Sequence, residues 1–278
     1  MVKVLAGVRT RVSSGDVFLS GGLGVKGYPW PWLSASVYLP YNWSTGRDGQ
    51  TGREVDLHGI GDLSVAASFD LLELIRPNMI RTRCPETGGP LLALRDDDDV
   101  IKAPHLVFSA GMAMPTGTAN HRKKWWPYPP QYQPGGGVWS ASAGIFYSQG
   151  IGPVTPSVGA TWLYGGGVNP VGYDRPDSLA VSAGVTWLFW YRRIGKLFLA
   201  ANVLVPLAEG RMEGRNLPGS DLSMVLVDVG LSFWVGSFWR RTRKIHAGIM
   251  ATLPAREGAT DTEPRHGTSV SVFTVFGF

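Results

Sequence analysis

The sequence predicts an all-β chain, a transmembrane antiparallel β-barrel of about 12 strands, with residues 1–278 forming one domain. Three observations predict it. Charged residues make up 17% of the chain, against about 25% in a soluble domain, while hydrophobic residues reach 44% and mean hydropathy is only +0.01. Residues 125–173 contain no Asp, Glu, Lys or Arg, yet are rich in Gly, Pro and Ser, which disfavour a helix. Segments of about ten residues alternate apolar with small or polar side chains, the signature of strands with one face in lipid. No apolar run reaches the roughly 18 residues that a membrane helix needs.

The alternation is clearest in three segments. In 178–190, Leu179, Val181, Ala183, Val185, Trp187 and Phe189 share one face, and Ser178, Ala180, Ser182, Gly184 and Thr186 the other. In 222–235, Val225, Val227, Val229, Leu231, Phe233 and Val235 alternate with Asp228, Gly230 and Ser232. In 138–147, Trp139, Ala141, Ala143, Ile145 and Tyr147 alternate with Ser140, Ser142 and Gly144. A strand sorts these residues onto two faces, whereas a helix scatters them. The competing reading, a soluble β-sandwich, would want Lys, Glu and Thr on its outer faces, and these are scarce.

An internal plan recurs. ASVYLPYN (35–42), AGMAMPTG (110–117), ANVLVPLAEG (201–210) and AGIMATLPAREG (247–258) are small-residue strands that run into Pro and open a long polar loop. Pro has no N–H, so it suits the rim where pairing ends. Between them, SQGIGP (148–153), YRRIGK (191–196) and VGSFWRR (235–241) read as short turns. Long loops outside and short periplasmic turns are the plan of an outer-membrane barrel. Twelve strands are expected at about 2–12, 16–27, 32–41, 61–72, 105–115, 138–148, 153–164, 178–190, 196–206, 222–235, 243–253 and 268–278, with ten or fourteen as alternatives. Closure is required, because an open edge in lipid leaves backbone groups unsatisfied at several kcal/mol each. An insert at about 73–103 falls on the periplasmic side.

The last strand, SVSVFTVFGF, puts Val272, Thr274, Phe276 and Phe278 on one face. It resembles the C-terminal signal of bacterial outer-membrane proteins, which implies that the barrel-assembly machinery reads Phe276 and Phe278. Aromatic residues fall where interfacial girdles belong: Tyr41, Trp139, Trp162 and Tyr164 at the outer rim, and Tyr147, Trp187, Phe189, Phe233 and Phe276 at the periplasmic rim. The start, MVKVLAGVRTRV, has neither the apolar core nor the cleavage site of a signal peptide, so a trimmed chain with an added Met1 is expected. Cys84 is the only cysteine, which excludes an internal disulfide.

Leu39-Pro40, Gly59-Ile60-Gly61-Asp62 and Pro115-Thr116-Gly117 carry a family resemblance. The chain resembles the transporter-like outer-membrane barrels named after the MetA pathway of phenol degradation. In these, a strand ending in Leu-Pro precedes a strand opened by Gly-x-Gly-Asp and one closing in Pro-Thr-Gly. Downstream strands match in spacing and small-residue texture. The insert at 73–103 departs from the family, which has a tight turn there. The resemblance implies an outer-membrane location and passage of small molecules.

The barrel would be roughly 24 Å across between backbones. Expected inward residues are small, as at Ser34, Ser36, Ser64, Ala66, Ser109, Gly111, Ser140, Ser142, Ser157 and Gly159, with few bulky side chains, which leaves room for a passage. Lys3, Arg9, Arg11 and Lys26, with Lys244 and His246 nearby around the closure, form an expected basic sector, and Asp70 and Asp228 are candidate counter-charges. Two readings stand side by side: a passage that favours anions, and a salt-bridged lumen that braces the wall.

Other features read as structure. GLGVKG (22–27) fits a dinucleotide fingerprint but lies within an alternating strand. Asp96–Asp99 reads as a solvated loop ahead of a calcium site. The basic runs carry no nucleic-acid motif, so no nucleic-acid partner is expected. In HRKKWWPYPPQYQP (121–134), Arg122, Lys123 and Lys124 are candidates for lipopolysaccharide contact, favoured over a loop that folds inward to narrow the pore. The five histidines show no metal-ligand spacing and no GxSxG appears, so no cofactor, metal or catalytic residue is expected. The leading expectation is therefore a channel for small solutes, aromatic or anionic, in the Gram-negative outer membrane. A structural anchor of a motility or secretion complex, with 73–103 as its partner contact, is the alternative. A barrel enzyme built on His246 is third.

Overall fold

The computed structural model describes residues 2–13, 16–47, 52, 54–75, 104–123, 126–127, 132–189, 195–216, 223–234, 245–256 and 268–277. The chain opens with three long strands, β1 (Val2–Ser13), β2 (Asp16–Trp30) and β3 (Leu33–Arg47). β4 (Glu54–Ile60), β5 (Leu63–Asp70) and a short helix α1 (Leu71–Ile75) follow. Beyond the insert come β6 (His105–Met114), the small β7 (Arg122–Lys123) and β8 (Trp126–Pro127), then β9 (Ser140–Ser148) and β10 (Val154–Tyr164). The remainder is β11 (Tyr173–Asp174), β12 (Ser178–Phe189), β13 (Gly195–Pro206), β14 (Arg211–Met212), β15 (Arg215–Asn216), β16 (Met224–Trp234), β17 (Ile245–Arg256) and β18 (Ser269–Gly277).

Thirteen of these strands form one sheet, ordered β2-β1-β18-β17-β16-β13-β12-β10-β9-β6-β5-β3-β4 and closed by a further pairing of β2 with β3. Because β4 and β5 are successive halves of one wall strand, the ring has twelve positions. β1 meets β18 antiparallel from Lys3↔Gly277 to Arg11↔Ser269, so the first and last strands close the barrel. Among the described residues every pairing is antiparallel and the twelve-position ring closes on itself, as a wall in hydrocarbon requires; the β4 half, at the loop end, pairs with β3 alone. Among the described residues no helix is long and apolar enough to cross a membrane.

The outer face is apolar and exposed: Leu23, Val25, Val37, Ile145, Val158, Val181, Leu199, Ile249 and Val272 all point away from the lumen. Trp162, level with Leu179, and Trp187, level with Val154, bracket Val158 by four residues on either side. That spacing sets a band roughly 20 Å tall at a strand tilt of about 40°, close to the apolar height of known barrels. Tyr41, Trp139, Trp162 and Tyr164 at the loop end and Tyr147 and Trp187 at the turn end are exposed on this face.

The wall differs from the expected one in two ways. First, β3 runs on to Arg47 and its partner begins at Glu54, where strands at 32–41 and 61–72 were expected. Pro40 therefore lies inside a strand. The partner ladder breaks opposite it: Tyr38 pairs with Ser64 and Tyr41 with Ile60, which leaves Leu39 and Pro40 facing Gly61–Leu63. A residue without an N–H sits where the ladder has already parted, and its carbonyl accepts from Gly61 N at 2.9 Å.

Second, bulky residues do line the lumen. Phe146 lies over Gly144 and Gly159, Phe198 over Gly230, Phe273 over Gly248, and Tyr38 over Gly22 and Gly24. Each ring lies flat against the wall in the space a missing Cβ leaves. These six of the 37 glycines thus accommodate aromatics, which keeps the rings against the wall. Gly230→Val would drive Phe198 off the wall. We expect it to destabilise the barrel by about 1–3 kcal/mol, read as a lower melting temperature of the compact gel form.

Candidate functional site: the barrel lumen and its loop-end constriction

The site is built on the break in the wall between β4 and β5. Leu39-Pro40, Gly59-Ile60-Gly61-Asp62 and Pro115-Thr116-Gly117, far apart in the chain, meet there. The Asp62 carboxylate accepts from Gly117 N at 2.9 Å through Oδ1 and from Gly136 N at 2.7 Å through Oδ2. Leu63 N donates to Thr116 Oγ1 at 2.9 Å, Thr118 N to Ile60 O at 3.2 Å, and Gly135 N to Thr118 O at 2.9 Å. One side chain thus ties the wall, the outgoing limb of the loop after β6 and its returning limb. Gly117 and Gly135 sit too close to Asp62 for any Cβ, which is why glycine recurs on both limbs. Gly137, at φ +72°, turns the returning limb back toward β9 between Ala119 and Pro170.

The returning limb lies inside the barrel. Tyr132, 2% exposed, forms a core with Val55 and Leu57 on β4 and stacks on Phe18 of β2 at 5.6 Å between centroids. Its hydroxyl donates to Asp16 Oδ2 at 2.8 Å, and its carbonyl accepts from Ser44 Oγ at 2.7 Å. Asn42 Nδ2 donates to Pro134 O at 2.5 Å. Asp16 also accepts from Arg47 N at 3.1 Å. These bonds, with that of Gly136 to Asp62, hold the segment from Tyr132 to Gly137 as a fixed part of the loop-end lumen wall. The inward fold, weighed as the lesser reading of 121–134, holds for this part. Lys124 lies outside the described residues, as do the side chains of Arg122 and Lys123 on β7, which pairs with β8.

Lys3, Arg9, Arg11 and Lys26 share the lumen face of β1 and β2, and Lys3 sits directly opposite Lys26. Both lysine ammoniums approach the Tyr28 ring, at 5.7 and 5.3 Å. Arg9 holds Ser269 Oγ at 2.9 Å yet stays exposed on the lumen side. Arg11 lies over Phe18 at 4.1 Å, which joins the basic row to the aromatic constriction. Asp16 lies beside this row on β2, whereas the two candidate counter-charges lie elsewhere. Asp228 on β16 accepts from Asn202 Nδ2 at 2.7 Å, and Asp70 on β5 pairs with His105, each three wall positions from β1. His246 pairs with Trp234 and Val275 through the backbone, and Phe276 with Val4 and Ile245; their side chains, like Lys244, Phe278, Cys84 and Asp96–Asp99, lie outside the described residues.

Sequence reading missed Asp16, whose role depends on a loop far along the chain. It also missed Lys196, which it grouped with a turn. Lys196 is buried on β13 beside Ser232, and its parity with Phe198 and Ala200 could have placed it in the lumen. The insert was expected from residue 73, but Glu73 belongs to α1.

No protein-family model and no curated protein matches the chain. Solved structures do. An outer membrane channel from Pseudomonas putida F1 superposes with a TM-score of 0.69 at 12% identity, over 100% of this chain and 95% of that one. The NanC porin superposes at 0.54 and 8% identity over 100% of both chains. The chain has the fold of an outer-membrane channel barrel.

Proposed function

We propose that the protein is a channel of the bacterial outer membrane through which small solutes pass passively, with the lumen favouring anions. The observation that carries this reading is Arg9, which faces the lumen within the β1–β18 ladder and stays solvent-exposed, where a filled barrel would bury it. Small inward residues such as Gly111, Ser142, Ser157 and Gly159 are likewise only partly buried. The apolar band and paired aromatic girdles support the membrane location, and the structural likeness to an outer membrane channel from Pseudomonas putida F1 points the same way. Arg11 stacked on Phe18 beside Tyr132 gives the constriction a cationic and aromatic lining, which suits aromatic anions.

The same reading puts the long loops outside. There Arg122, Lys123 and Lys124 would meet lipopolysaccharide phosphates, and the barrel-assembly machinery would read the strand ending at Phe276 and Phe278. Passage needs no chemistry from the protein, so no enzymatic step is proposed. Planar-bilayer recording tests it. Discrete conductance steps with anion preference are expected, and Arg9→Glu should shift the reversal potential toward cation preference. A folded barrel that never conducts would end the channel reading and leave the anchor reading, with 73–103 as the partner contact.

A further inference from the structure

At the opposite end of the lumen, Asp70, Glu73 and His105 come together from three elements: the last residue of β5, the first turn of α1 and the first residue of β6. They are 2%, 3% and 1% exposed. One potential ligand atom from each lies within 4.8 Å of the other two. Their meeting follows from the fold. β5 and β6 are neighbours, with Asp70 opposite Val107, so Asp70 and His105 share the inward face two residues apart. Asp70 also caps the turn that follows, since Glu73 N donates to its Oδ1 at 3.4 Å, and that turn carries the second carboxyl back over the first. His105 Nδ1 bonds the other oxygen, Oδ2.

We propose that these three side chains form a binding site for a divalent transition-metal cation of the zinc type. The three donor atoms lie close enough together for one ion, and a divalent cation there would balance both carboxylates with the imidazole neutral. The donor set is selective. Carboxylate oxygen with imidazole nitrogen suits zinc and its neighbours, whereas magnesium and calcium prefer oxygen throughout. The proton between His105 and Asp70 leaves as the cation enters. Three protein ligands leave a tetrahedral ion one further position. The site would pin α1 across the turn end, next to the insert.

The test uses the full chain, folded in detergent and stripped with chelator, titrated with Zn2+ by calorimetry and with Co2+ by visible absorption. One ion per barrel is expected, with a Co2+ spectrum that shows nitrogen ligation, and equal Ca2+ or Mg2+ should not compete. His105→Gln and Glu73→Gln should each weaken binding by at least about tenfold while the protein still migrates as a compact barrel. Glu73 lies outside the strands, so its variant keeps the test valid if the His105 variant fails to fold. Absence of saturable Zn2+ binding by the folded wild type would overturn the site, leaving a histidine–carboxylate bridge only. Binding that both variants retain, or equal competition by Ca2+, would overturn it too.

Discussion

Asp62→Ala is expected to widen the channel without unfolding it. The carboxylate accepts two backbone N–H bonds, one from each limb of the loop after β6. Charge-assisted bonds of this kind contribute about 1.5–3 kcal/mol each, so their joint loss frees the Tyr132–Gly137 segment by roughly 3 kcal/mol or more. At 1.4 kcal/mol per factor of ten, that raises the population with the segment lifted off the wall by about 100-fold or more. Single-channel recording should show a larger and noisier conductance. Asp62→Asn keeps one good acceptor and should fall between the two. The barrel itself stays intact, because its ladders do not pass through this side chain. Unchanged conductance in both variants would mean that the segment does not set the width of the passage.

A charge on the outer face should have a larger effect on stability. Val158 is 55% exposed and sits midway between the levels of Trp162 and Trp187. If those rings mark the interfaces, Val158 lies at the centre of the hydrocarbon, and Val158→Arg should destabilise the barrel by about 2–4 kcal/mol. The neighbouring Ser157, on the same strand but facing the lumen, should accept Arg with little loss of stability and a change in ion selectivity instead. Denaturant titration of both variants in detergent or lipid checks the pair. Equal costs at the two positions would mean that the face bearing Val158 does not meet lipid.

Most of the wall was legible because alternation is a local property: Leu179 to Phe189 announces its two faces without reference to any other strand. The lumen row of β1 and β2 was legible for the same reason. Its outcome was not. Arg11 lies over Phe18, its neighbour across the ladder, and Phe18 in turn stacks on Tyr132, a residue more than a hundred positions away that returns only through a folded loop. Pro40 was read as the end of a strand from its missing N–H. No N–H is needed at Pro40, because the ladder breaks on the partner side, and the strand continues. Family resemblance named the three motifs around Gly61 and Asp62, while only their spatial meeting shows that Asp62 clamps the loop. The aromatic rings of Phe146, Phe198 and Phe273 were overlooked because a glycine on a neighbouring strand decides whether a ring fills a lumen or lines it. Asp70 and His105 sit 35 positions apart in sequence and meet only because β5 and β6 are paired.

The account rests on an apolar outer face that meets hydrocarbon around a closed ring. The most direct test is the migration of the purified chain, boiled and unboiled, together with its behaviour when detergent is withdrawn. A closed membrane barrel runs faster unboiled than boiled and aggregates once detergent is removed. A chain that migrates identically under both conditions, and stays folded and monodisperse in plain buffer, would contradict the barrel in lipid and the channel with it.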